Sequence, residues 1–120
     1  MDRDLLLTYI EETEGIEFIK DLVDVRLFNK EKEQPIFKFE CQFTVDGKKV
    51  PVYLLITKWF PEHLPLFYLP EYDYLGFLPH IEPSGLICYL EKESVYVNRE
   101  EPKAVFQASA ELAIQTLKKG

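Results

Sequence analysis

The residues of this chain best suited to covalent chemistry lie in one segment, Pro79-His80-Ile81-Glu82-Pro83-Ser84-Gly85-Leu86-Ile87-Cys88-Tyr89-Leu90. It places a cysteine after a glycine-containing turn and eight residues behind an imidazole, outside any helical or regular strand pattern. A thiol at the end of a loop can reach a bulky partner, and access is the first requirement for thiolate attack on an acyl group. An imidazole whose ordinary pKa is about 6.5 exchanges protons at neutral pH. His80 is therefore a candidate for proton exchange beside such a thiol. Plainer readings stand beside these: Cys88 as a small buried side chain, and His80 as a group that caps a turn or bonds a carbonyl. The chain has one further cysteine, Cys41, and one further histidine, His63, which reads as a surface residue. The four match no zinc-ligand spacing and the cysteines are not at CxxC spacing, so both read as thiols and no metal is expected. No phosphate-binding glycine loop, nucleophile elbow, HExxH helix or dinucleotide fingerprint occurs.

Composition limits what can surround such a thiol. A chain of 120 residues is expected to form one domain, residues 1–120, around a single core. With 21 acidic against 14 basic residues the net charge is −7, which opposes binding to nucleic acid or to anionic lipid and leaves proteins or small molecules as partners. The longest apolar run, Val50 to Ile56, is seven residues, against the roughly 20 that a membrane helix needs. The opening Met1-Asp2-Arg3-Asp4 is not a signal peptide, so a cytoplasmic location is expected. Nine Phe and seven Tyr supply enough bulk for a core without disulfide or metal staples.

The elements that must position the thiol can be read in order. Leu5, Leu6, Tyr9 and Ile10 fall at helical intervals between Asp4 and Glu14, and Gly15 is placed to end that helix. From Phe18 the period changes to two, which predicts a half-buried strand with Val23, Val25 and Leu27 on the inner face. Asn29 to Pro35 reads as a loop. A second strand alternates Phe37, Phe39, Cys41 and Phe43 inward, which makes Cys41 a core residue. Asp46-Gly47 then predicts a tight hairpin into a third strand, Val50 to Thr57. Five prolines between Pro61 and Pro83, interleaved with aromatic residues from Phe60 to Phe77, forbid a long helix. They predict packed, extended chain with an irregular strand near Leu64 to Leu69. Pro102 opens a last helix whose apolar stripe is Val105, Phe106, Ala108, Ala110, Leu112, Ala113 and Leu117. Strands grouped between helices predict an α+β fold with its antiparallel sheet covered on one face, complete within this length.

With this order in place, the cysteine segment resembles the active site of ubiquitin-conjugating enzymes, whose pattern Pro-x-Ile-x-x-x-Gly-x-Ile-Cys is matched by Pro79, Ile81, Gly85, Ile87 and Cys88. The resemblance extends over nearly the whole chain: an opening helix, a meander, Phe60-Pro61 followed by Pro65, the cysteine loop and a helix behind it. It departs from the usual pattern at Leu78-Pro79-His80, where the family has His-Pro-Asn, and the histidine at the Asn position is similar to bacterial relatives. The resemblance implies a prokaryotic ubiquitin-conjugating-like enzyme with the corresponding fold. Cys88 would accept a protein C-terminus as a thioester and pass it to a lysine amine, without a cofactor of its own. It implies catalytic roles for Cys88 and His80, with His80 taking the place of the Asn that donates to the oxyanion or orders the loop. It further implies antiphage defence of the cyclic-oligonucleotide (CBASS) type or a ubiquitin-like conjugation operon. The acyl donor would be a cyclic-oligonucleotide synthase or a ubiquitin-like protein, with an adenylating activating enzyme as a further partner. Family members dock activating enzymes or ligases on the first helix and the nearby loops, so an exposed aromatic there would be a contact.

Two other classes compete. An inactive variant of the same fold would serve as a binding module for a ubiquitin-like protein or a cyclase, and the presence of Cys88 argues against it. A thiol hydrolase or redox protein would pair Cys88 with His80 within hydrogen-bond reach, but no third orienting group is evident. Tyr89, Glu91, Glu93 and Asn98 follow the cysteine and are candidates for shaping an amine pocket, although a charged loop is usually just solvated.

Overall fold

The structure is a computed structural model that describes residues 2–23, 35–70, 81–82, 85–89 and 100–119. Helix α1 spans Arg3–Glu11 and is capped by Asp2, whose carboxylate accepts the Leu5 N–H at 2.7 Å. It is shorter than its periodicity suggests. The Thr13 hydroxyl donates to Tyr9 O at 2.6 Å and Thr13 N–H to Ile10 O at 3.1 Å, so the last carbonyls are taken before Gly15 is reached. Gly15, at φ +87°, then turns the chain into the sheet, and its carbonyl accepts Thr44 N–H at 2.9 Å. Leu6, Tyr9 and Ile10 are buried, whereas Leu5 lies on the solvent side.

Four antiparallel strands follow in a meander, β1 Ile16–Asp21, β2 Phe37–Val45, β3 Lys48–Ile56 and β4 Leu66–Tyr68, in the order β1-β2-β3-β4. The hairpin between β2 and β3 turns at Asp46 (φ +51°) and Gly47 (φ +79°), the pair of left-handed residues that a two-residue turn requires. The expected inner face of β2 is correct: Phe39, Cys41 and Phe43 are fully buried opposite Leu54, Val52 and Val50. The first strand corrects the sequence reading. The register slips between Phe18 and Lys20, so Ile19 is an extra residue and the two-residue period is interrupted there. Pairing runs out one residue past the strand, at Leu22 N–H to Lys38 O. Val23, expected inside, is 90% exposed, and Val25, Leu27 and the loop up to Gln34 lie outside the described residues.

Helix α2, Pro102–Lys119, crosses the sheet on the same side as α1. Its buried line is Val105, Phe106, Ser109, Ala110, Ala113 and Ile114. Ala108, Leu112 and Leu117 flank it only partly buried. Ser109 can lie at the centre of an apolar seam because its hydroxyl donates to Val105 O at 2.9 Å within the helix. Phe106 meets Phe67 of β4 at 6.5 Å between ring centroids, and Phe67 meets Phe43 at 5.1 Å. The helices are tied by Lys103 Nζ on Glu12 (3.0 Å) and by Gln107 donating to Glu12 O. A smaller apolar group lies on the opposite face of the sheet, where Leu55 and Tyr68 are buried and Tyr53, Leu66 and Leu86 pack against them. That face is therefore not polar throughout, as one-sided covering would have it.

Truncating the ring that joins α2 to the sheet, Phe106→Ala, is expected to cost about 3–5 kcal/mol. Val23→Ala is expected to stay within roughly 0.5 kcal/mol. Urea unfolding measures both, and a Val23 cost above about 1 kcal/mol would show that the first strand continues inward after all.

Candidate functional site

The segment that carries Cys88 reaches the sheet through β4. Gly85 N–H donates to Glu82 O at 2.8 Å and Glu82 N–H to Leu86 O at 2.9 Å, which closes a turn and pairs Ile81 with Ile87. Beyond the turn the chain runs antiparallel to β4. Leu69 N–H donates to Gly85 O at 2.8 Å, Ile87 N–H donates to Phe67 O at 2.9 Å, and Leu86 lies opposite Tyr68. Residues 85–87 thus extend the sheet past its last full strand. In this extended stretch side chains alternate between core and outside. Ile87 and Tyr89 are buried at 2% and 7% exposure, and Cys88 between them is half-buried.

Gly85 makes this approach possible. Its φ is +93°, and a Cβ there would stand 2.5 Å from Leu69 O, a backbone atom of the residue whose N–H bonds Gly85 O. The turn therefore requires glycine on two counts, conformation and space. Leu69 itself is buried, so the contact is braced from behind by the core.

The two thiols have opposite environments. Cys41 is fully buried on β2, and burial, helped by the nearby Glu40 charge, pushes its pKa up from an ordinary 9.0 to about 12. At neutral pH it stays protonated and inert. The Cys88 thiol is turned toward Leu86 O, with Sγ at 4.0 Å. Of the two thiols, Cys88 is the partly accessible one, and the backbone just before it is paired with β4. Tyr89, a candidate for an amine pocket from its position in sequence, instead points inward, and its hydroxyl donates to Pro65 O at 2.6 Å. His80, Glu91, Glu93 and Asn98 lie outside the described residues.

Sequence reasoning missed the inward turn of Tyr89, although the alternation Ile87, Cys88, Tyr89 carried the signal. Of the aromatics from Phe60 onward, Phe60, Phe67 and Tyr68 are buried as expected, and Tyr72, Tyr74 and Phe77 lie outside the described residues. Trp59, next to this group, is 46% exposed in the turn between β3 and β4, with Lys58 Nζ 5.0 Å from its ring centre and the exposed His63 ring beside it. Among the described residues no helix is long and apolar enough to cross a membrane.

Comparison with known families decides the broader assignment: the model of prokaryotic E2 family B matches residues 20–120. The chain belongs to this family. Membership accounts for the helix-flanked antiparallel sheet and gives the protein a ubiquitin-conjugating-like role in general terms, with proteins as its partners. No curated protein and no solved structure matches the chain.

Gly47, which has nothing within 4 Å of its Cβ position, provides the control for Gly85. Gly47→Ala is expected to cost about 1 kcal/mol for its left-handed conformation alone. Gly85→Ala should cost at least about 2 kcal/mol more, because the new methyl group must push Leu69 O aside. Equal shifts in the urea midpoint would contradict the close approach.

Proposed function

We propose that the protein is a conjugating enzyme that carries a protein C-terminus on Cys88 and delivers it to a lysine amine. The observation that supports this most is the half-buried Cys88 thiol on a braced backbone, in a chain of prokaryotic E2 family B. In loading, the Cys88 thiolate adds to the carbonyl carbon of an activated C-terminus. The tetrahedral intermediate collapses to a thioester and expels the donor's leaving group, either the thiolate of an activating enzyme or adenylate. In discharge, a lysine amine adds to the thioester carbonyl, gives up a proton and expels Cys88 as thiolate, leaving an isopeptide bond. The oxygen is an oxyanion at each addition, and donors aimed at it account for much of such catalysis. His80 acts in discharge, as donor to that oxyanion or as acceptor of the amine proton. No metal or nucleotide of its own is needed.

The resemblance of Pro79 to Cys88 to the bacterial pattern, with histidine in place of asparagine, supports a place in antiphage defence. The acyl donor is then a cyclic-oligonucleotide synthase or a ubiquitin-like protein, and an adenylating enzyme activates it. Exposed Trp59 supports a docking contact for a protein partner in the turn between β3 and β4.

In a single-turnover assay with the donor and its activating enzyme, Cys88→Ser should trap an oxyester that resists thiol and yields to base. His80→Ala should slow lysine discharge by about 10²-fold or more, as loss of a general acid–base or oxyanion group does, and slow loading much less. Equal slowing of both steps would remove His80 from discharge.

A further inference from the structure

One buried polar group next to the thiol takes no part in this chemistry. Tyr89 is 7% exposed, its ring meets Phe67 edge-on at 6.0 Å, and its hydroxyl donates to Pro65 O at 2.6 Å. Ser109 of α2 lies beside the phenol, its own hydroxyl proton given to Val105 O. A phenylalanine would fill this space without the cost of burying a hydroxyl, so the oxygen needs a separate reason.

Register supplies one. Along β4, residue 85 pairs with 69 and residue 87 with 67. Beyond these two pairs the Tyr89 side chain reaches Pro65, and there the link is the phenolic hydroxyl. Cys88 therefore sits between two rungs, a backbone rung from Ile87 N–H to Phe67 O and a side-chain rung from Tyr89 O–H to Pro65 O. Burial pushes the phenol's pKa up, against a smaller opposite pull from Ser109, so it remains a donor throughout the neutral range.

We propose that Tyr89 is a positioning residue that fixes the direction of the Cys88 thiol by tying the backbone behind it to Pro65. Its effect on acyl transfer rests on the reading of Cys88 as the carrier, whereas its effect on the thiol itself does not. Without the second rung, Cys88 is held from one side only. Its sulfur then becomes easier for a small reagent to reach and is less well aimed when it carries a thioester.

The test is Tyr89→Phe in the full chain, which keeps the ring and removes the donor. Cys88 alkylation by iodoacetamide is followed across pH 6–9 with the modified residue identified by peptide mass, since Cys41 is buried and protonated there. At least threefold faster alkylation of Cys88 at pH 7.5 is expected, with a displaced pH–rate profile. Phe106→Leu, which loosens the core and leaves both rungs in place, should keep the profile of the wild type. Discharge of the thioester should slow at least fivefold at saturating lysine, with an unchanged dependence on lysine concentration. Should Tyr89→Phe fail to fold, Tyr89→Met, which also removes the donor while filling the apolar space, should give the same direction of change in alkylation. Superimposable alkylation profiles would overturn the proposal, whatever happens to the urea midpoint. A shifted profile in a protein that never loads an acyl donor would leave the positioning role standing and overturn the carrier reading alone.

Discussion

The placement of the cysteine segment depends on the backbone contact between Gly85 and Leu69. Two extended chains meet there with no side chain between them, and the 2.8 Å bond from Leu69 N–H to Gly85 O sets the register for everything that follows. From that register Ile87 turns into the core and Cys88 turns out. A register shift of one residue would exchange those orientations and bury the thiol. The site is therefore specified by sheet pairing, a cooperative property of the fold, and not by a flexible loop that happens to carry a cysteine.

The rest of the molecule braces this pairing. β4 has three residues and depends on β3 on one side and on the ring contacts of Phe67 with Phe43, Tyr89 and Phe106 on its core face. Helix α2 supplies Phe106 and Ser109 at that point, and α1 holds α2 through Glu12. The smaller apolar group of Leu55, Tyr68 and Leu86 stiffens the other face of the same junction. Surface ion pairs such as Arg3–Asp21, about half exposed, add little to this. Buried aromatic area carries most of the stabilisation near the thiol.

Much of this was legible in the residues, and the exceptions have identifiable causes. The alternation from Phe37 to Phe43, the Asp46-Gly47 turn and the helix from Pro102 each follow from a local rule, and each is present. The first strand misled because one inserted residue, Ile19, breaks a period of two without any mark in composition. The first helix ended early because a threonine hydroxyl satisfied a carbonyl sooner than the glycine could. Ser109 was invisible as a core residue because its polar atom is satisfied within its own helix. In the site, glycine and cysteine could be read from the motif, but the direction of Tyr89 required the pairing with β4, which joins residues some twenty positions apart. His80 lies outside the described residues.

The central claim is that Cys88 carries an acyl group as a thioester. Its most direct measurement is intact mass with non-reducing gel analysis of the wild-type protein and Cys88→Ala, each purified from cells that express the neighbouring genes. The account predicts an adduct on wild type that is removed by thiol and absent from Cys88→Ala, with a mass that identifies the donor protein. No adduct on wild type, with donor and activating enzyme verified in the same cells, would contradict it and favour a binding module of the same fold.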